Sequence, residues 1–352
     1  MFQGAAQLFF LILVLYKNQR MNRYLLLLLL CWALSNNTIQ AQPKNLVLEG
    51  AGIRGVAYVG VIKYLEEKNL LKSIERVAGT SAGAIAALAV SLGYSADETE
   101  RLIFNTKLQK FNDGKFFFVG GISRVNRHYG WYRGKAFTRW LEEIITAKTG
   151  NANITFQELH DRKFKDLYVT GTSLNNQKLI VFSHETYPAM RIKDAVRISM
   201  SIPLYFEAVL IDSTGKVLTK KHLPAHYDIM VDGGMTGNFP ISIFDTTSTD
   251  GSRIANPFTI GIRIDTPEQI QYDKSQRGLA PVPVDRFKNY MGALYNYTVE
   301  NLNRNTLTKD DWLRTVSVSS GKIGPKIRKL SIEEKNTLIN NGYQAMKEFD
   351  TK

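Results

Sequence analysis

Cysteine is nearly absent. Cys31 is the only one in 352 residues, and it lies inside an apolar stretch near the N-terminus. Beyond that stretch there is no disulfide framework, no thiol nucleophile and no cysteine-ligated metal site. Histidine is scarce as well: His128, His160, His184, His222 and His226 are the full set. None stands in a motif-like setting, so each is expected on the surface or in a loop. His222 and His226 are four apart, but Pro224 between them argues against a helical metal site. No apolar run approaches the roughly 20 residues of a membrane-spanning helix. Zinc-finger spacing, an RNP-like stretch and Lys/Arg runs are all missing, so no nucleic-acid partner is expected. Low-complexity tracts and internal repeats are missing too.

Charge of one sign is in excess, with 45 basic against 32 acidic residues. Residues 1–41 carry three of the bases and no acid, which leaves 42 against 32 in the remainder. A surface of this sign is drawn to anionic partners such as phospholipid head groups, so peripheral contact with a membrane surface is expected. Within residues 1–41, Met21-Asn22-Arg23, the apolar Tyr24–Leu34 and the small Ala41 read as a Sec signal peptide, with translation starting at Met21. Leu30 before Cys31 argues against a lipoprotein signal. The expected location is therefore periplasmic, outer-membrane-associated or secreted. Residues 42–245 are expected to form the core of one domain, and 246–352 an α/β portion continuing it.

The stretch from Asn45 to Leu92 reads as strand, glycine turn, helix, strand, sharp turn, helix. The first turn is Gly50-Ala51-Gly52-Ile53-Arg54-Gly55 and the second is Gly79-Thr80-Ser81-Ala82-Gly83. A glycine loop between a strand end and a helix start presents backbone N–H groups, and the helix dipole adds positive charge. Such a loop holds a phosphate or stabilises an oxyanion. Its G-x-G-x-x-G spacing also matches a dinucleotide fingerprint, with Glu66 or Glu75 as the acidic partner. The G-x-S-x-G turn has the form of a nucleophile elbow, in which small neighbours let strand and helix approach.

Downstream, capping boxes at Ser95, Thr155 and Ser331 start helices. Residues 105–133 are rich in aromatic and basic residues, including Phe111, Phe116–Phe118 and Tyr129–Tyr132, and show no clean period. They read as a loop packed on the core, or as a lid or interfacial segment. Leu167–Ser173 and Lys178–Ser183 form a hairpin whose Asn175-Asn176 favours positive φ. A short helix over Ile192–Met200 carries Arg197 and Ser199. Asp212–His226 is a polar surface excursion. Tyr227–Val231 is a strand that runs into Asp232-Gly233-Gly234, where a carboxylate sits beside open backbone. The alternation of strands and helices argues for an α/β fold with a largely parallel sheet.

With the glycine loop, Ser81 and Asp232 placed, the chain resembles the patatin-like phospholipases over about 45–243. The shared features are Arg54-Gly55 closing the loop, GTSAG at 79–83, the block Ala195–Pro203, the D-G-G turn, and Asn238 and Pro240 after it. The resemblance implies a three-layer sandwich and a serine–aspartate dyad without histidine. In that dyad Ser81 is the nucleophile, Asp232 the general base, and the N–H groups of Gly50–Gly55 the oxyanion hole. It implies cleavage of phospholipid, lysophospholipid or related acyl esters, with no metal or organic cofactor. An aspartate is a weak base at neutral pH unless burial raises its pKa. The family usually has a run of three glycines where this chain has Ala51 in the middle, a strained residue if φ is positive there. Arg54 either orients the loop or meets a substrate phosphate. The rival reading is a non-catalytic phosphate-, nucleotide- or membrane-binding protein that uses the same loop.

Overall fold

The computed structural model describes residues 42–106, 108–114, 117–324 and 328–351. The expected signal peptide, the Met21 start and Cys31 lie outside the described residues. The first half runs β1 (Asn45–Leu48), α1 (Tyr58–Glu67), β2 (Arg76–Gly79), α2 (Ala82–Ser91), α3 (Ala96–Asn105), α4 (Phe117–His128), β3 (Gly130–Tyr132), α5 (Lys135–Thr149) and α6 (Phe156–Asp161). Then come β4 (Asp166–Ser173), β5 (Lys178–Phe182), α7 (Ile192–Ser199), β6 (Leu204–Phe206), β7 (Val209–Ile211), β8 (Asp228–Asp232) and α8 (Gly234–Gly237). The chain closes with β9 (Thr246–Thr247), β10 (Arg253–Ile254), β11 (Thr259–Asp265), α9 (Pro267–Lys274), α10 (Phe287–Arg304), α11 (Lys309–Leu313), β12 (Thr315–Ser319) and α12 (Ile332–Asp350).

The main sheet has the order β12-β11-β1-β2-β4-β8-β7, with β5 also on β4. From β12 to β4 every pairing is parallel; β5, β8 and β7 join antiparallel. Alternation along the strands feeds two apolar layers. Leu46, Leu48, Val77, Leu167 and Val169 face the larger one, whereas Val47, Ala78 and Tyr168 meet Phe239, Ile241 and Phe244 on the other side. Both faces are covered, which is why the central strands read as continuous apolar runs. This is the expected three-layer α/β sandwich. Residues beyond 245 contribute β11 and β12 to the same sheet.

Register on β4 decides where the chemistry sits. Val169 pairs with Gly79 of β2 and with Phe182 of β5, so β2 and β5 flank β4 on opposite edges. Gly171 pairs with Ile180 of β5 and with Asp232 of β8. β8 therefore lies on the same edge as β2 and runs against it. The C-terminal ends of β2 and β8 meet head-on, with only Thr170 between their last pairings.

Two local expectations change. The segment 105–133 holds the helix α4 and the strand β3, which pairs with β6. Gly120 and Gly121 obscure the helical period, and a Cβ at Gly121 would lie 2.5 Å from the Trp131 ring, so packing demands that glycine. In the β4–β5 turn the positive φ falls on Gln177, at 50°, and not on the asparagines. Asn175 instead bonds Tyr227 O and Ile229 N, and Asn176 bonds Asp228, tying the turn to β8.

β11 carries one buried cation. Arg263 is fully buried, pairs with Glu49 at 2.8 Å and Glu300 at 3.2 Å, and packs on the rings of Phe239 and Trp312. Arg304 of α10 pairs with Asp265 at 2.7 Å and with Asp273. Removing the central cation leaves buried carboxylates uncompensated. Arg263→Met is expected to lower the unfolding free energy by about 3–5 kcal/mol, read from urea denaturation beside the wild type.

Candidate active site

β2 ends at Gly79 and the chain turns into α2 within three residues. Ser81 occupies the turn with φ 53° and ψ −120°, an unusual conformation for a residue with a side chain. Close packing holds it there. A Cβ at Gly79 would lie 2.3 Å from Gly83 O, and one at Gly83 would lie 2.3 Å from Leu48 O. Both elbow glycines are thus required by the approach of α2 to the sheet. The Ser81 N–H donates to Ser199 Oγ of α7 at 2.8 Å. Below the turn, the Thr80 and Thr170 hydroxyls stand 2.6 Å apart.

Asp232, the last residue of β8, faces this turn. Ser81 Oγ donates to Asp232 Oδ2 at 2.8 Å, and Asp232 Oδ1 accepts from the Gly234 N–H at 2.8 Å. The Asp232 N–H and C=O are also engaged, with Ser201 O and Thr172 Oγ1 respectively. A Cβ at Gly233 would meet Thr170 Oγ1 at 2.3 Å, so the D-G-G turn packs directly on the gap between the strand ends. Asp232 is 2% exposed, and burial pushes its pKa up to about 7 against the opposing pull of the Gly234 N–H and the Ser81 hydroxyl.

The glycine loop lies on the other side of Ser81. Ala51 has φ −130°, so alanine is unstrained there; Gly52, at φ 55°, is the position that favours glycine. Gly50 is locked to Asn238 in both directions: its N–H donates to Asn238 O and its C=O accepts from Asn238 Nδ2, each at 3.0 Å. Asn303 of α10 in turn accepts the Asn238 N–H. The Arg54 N–H and Nε both donate to Ala51 O at 3.2 Å, and the side chain is buried. Arg54 therefore braces the loop. The N–H groups of Gly50 and Arg54 are engaged within the fold. This narrows the free donors of the six-residue loop to Ala51, Gly52 and Ile53 at the start of the 3-10 turn, where helical partners are lacking. Gly55 lies further along that turn, and a Cβ there would meet Ala82 Cβ at 2.9 Å.

A cavity of about 280 Å³ opens beside the elbow and the glycine loop, walled by Ile53, Ala82, Leu102, Phe137 and Met200, with Arg328, Lys329 and Lys335 also on its lining. Met200 Sδ stands 3.6 Å from Ser81 Oγ, so the apolar space begins beside that hydroxyl.

The acidic partners that a dinucleotide site would use are engaged elsewhere. Glu66 accepts the Ala96 N–H at 3.0 Å, and Glu75 pairs with Lys44 at 3.0 Å. His222 and His226 are exposed as expected. His160 and His184 are not plain surface residues: they stack on each other and face Asp166. Two supports escaped the sequence reading. Ser199 sat on an anticipated helix without a role, and Asn303 carried no local signal at all.

A family model described as patatin-like phospholipase matches residues 46–245. Among curated relatives, the uncharacterized protein R571 of Acanthamoeba polyphaga mimivirus is 31% identical over 211 residues, which is 58% of this chain and 63% of the relative. A probable lipid hydrolase, 463L of Invertebrate iridescent virus 6, is 28% identical over 201 residues, 57% of this chain and 62% of the relative. These matches span just under two thirds of each relative's length. Among solved structures, VipD from Legionella pneumophila superposes with a TM-score of 0.52 at 17% identity, covering 88% of this chain and 67% of that one; that likeness concerns the fold. The family match takes in the glycine loop, the serine elbow and the D-G-G turn, and the chain belongs to the patatin-like phospholipase family.

Proposed function

We propose that the protein is an exported acyl-ester hydrolase acting on phospholipids or lysophospholipids, with Ser81 as nucleophile and Asp232 as general base. The observation that carries this reading is the 2.8 Å hydrogen bond from Ser81 Oγ to a buried carboxylate whose pKa is raised to about 7. A serine hydroxyl attacks only if its proton is taken as the bond forms. Asp232 takes that proton as Oγ adds to the ester carbonyl. It then returns the proton to the departing alcohol as the tetrahedral intermediate collapses to an acyl-enzyme. Water, activated by the same carboxylate, releases the acid. In this reading the free N–H groups of Ala51, Gly52 and Ile53, at the positive end of the turn, are the donors that stabilise the developing oxyanion. The cavity beside Met200 takes the acyl chain, and Lys329 and Lys335 on its lining suit an anionic head group. The excess of basic residues supports peripheral contact with an anionic membrane, and the apolar stretch before Ala41 supports export.

Ser81→Ala and Asp232→Asn are each expected to lower turnover of a p-nitrophenyl ester and of mixed phospholipid vesicles by at least about 100-fold. Folded variants that keep wild-type turnover would remove the dyad, and binding of nucleotide would then be measured.

The pKa gives a second test with two readouts. Since the ionised form is the base, kcat/KM should rise with pH and level off above about 7. Stability should move the other way. The folded pKa lies above the unfolded value of about 3.9. The contribution of the buried neutral carboxyl is therefore complete below pH about 4 and is lost as pH rises through about 7. The Tm of Asp232→Asn should gain on that of the wild type across this window. A difference that stays flat with pH would mean that Asp232 titrates in the ordinary carboxylate range.

A further inference from the structure

Three side chains outside the active site converge from three separate elements. His160 is the penultimate residue of α6, Asp166 opens β4, and His184 follows β5. The two imidazoles stack with centroids 4.1 Å apart and planes 11° from parallel. Both turn Nδ1 toward the same Asp166 oxygen, at 2.7 Å from His160 and 3.6 Å from His184. One donor atom from each residue lies within 4.8 Å of the other two. The side chains are 38%, 20% and 17% exposed for His160, Asp166 and His184, so the cluster is sheltered while solvent still reaches it.

Each donor is held by structure that needs no ligand. α6 starts in the Thr155–Glu158 capping box. Asp166 lies in the sheet opposite Arg76. The turn that carries His184 is closed by Ser183 and Thr186, and the Tyr168 ring packs edge-on against the His184 imidazole. The arrangement is poorly explained as a plain ion pair. A single histidine would satisfy the carboxylate, and a second imidazole stacked at this distance gains a partner only by sharing the same oxygen. A divalent cation resolves this, because it accepts both imidazole lone pairs and the carboxylate together once the rings rotate slightly toward it. Two imidazole nitrogens and one carboxylate oxygen suit Zn²⁺ and its neighbours Co²⁺, Ni²⁺ and Cu²⁺. Mg²⁺ and Ca²⁺ prefer oxygen ligands.

The position argues for a structural role. Asp166 pairs with the first residue of β2, whereas Ser81 follows the last, so the cluster sits at the opposite end of these strands from the dyad. We propose that His160, Asp166 and His184 bind one divalent transition-metal ion and thereby pin α6 to the β4–β5 hairpin.

The test uses Zn²⁺ alone, titrated into the chelator-stripped full chain at neutral pH, with heat, Tm and histidine ring C–H resonances followed. The wild type should bind one ion, gain Tm, and show shifts confined to two of the five histidines. His160→Ala and His184→Ala should each weaken binding by at least about 100-fold, ligand loss exceeding the cost of losing an outer-shell partner, and should abolish the Tm gain. A His222→Ala/His226→Ala variant should bind as the wild type does. If a single-alanine variant fails to fold, the ring resonances of the wild type decide alone. The proposal is overturned if Zn²⁺ does not bind the wild type, if binding follows His222 and His226, or if the His160 and His184 variants titrate unchanged.

Discussion

Two strands end against each other on one edge of β4, and the site follows from that collision. β2 stops opposite Val169 and β8 stops opposite Gly171. Each last turn leaves the sheet at the same point, one bearing the serine and the other the aspartate. The third layer then seals them. Burial that would be costly for a carboxylate elsewhere is what lifts Asp232 to a pKa near neutrality. In the proposed mechanism the sandwich is thus part of the acid–base chemistry as well as its support.

The glycine loop is held from a different direction. Glu49, just before it, is clamped by Arg263 and by the Ile264 N–H, and burial pushes its carboxyl up. Gly50 is fixed by Asn238, which is fixed by Asn303. Arg263 and Asn303 lie beyond residue 245, outside the matched family region. The loop is therefore held by a part of the chain that supplies neither Ser81 nor Asp232. Rigid aiming matters because an oxyanion donor acts only if it is already in place when charge develops.

Much of this was legible locally. The capping boxes, the elbow, the D-G-G turn and the parallel strands all announce themselves within ten residues or so. What was not legible depends on distant pairing. Ser81 and Asp232 are 151 positions apart, and only the resemblance to a family joined them. Ser199 looks like any helical serine until its neighbour across the fold is known. Arg263 sits between Ile262 and Ile264, and its partners Glu49 and Glu300 come from distant parts of the chain, so its buried pairing could not be read locally. Gly120 and Gly121 hid α4 because glycine breaks the period that reveals a helix. His160, Asp166 and His184 have no regular spacing, since a helix end, a strand start and a turn bring them together. The loop shows the limit most finely: the doubt fell on Ala51, whereas the left-handed residue is Gly52.

The register of β8 has a consequence for how the chain tolerates change over evolution. Side chains alternate along a strand, so a slip of one residue against β4 would turn Asp232 to the opposite face and bring an apolar neighbour to Ser81. Length therefore cannot drift within 228–232. It is free to drift just upstream, because residues 219–226 are exposed throughout and serve as slack between β7 and β8. Homologues that differ in size should carry their insertions there, with the aspartate strand keeping its count.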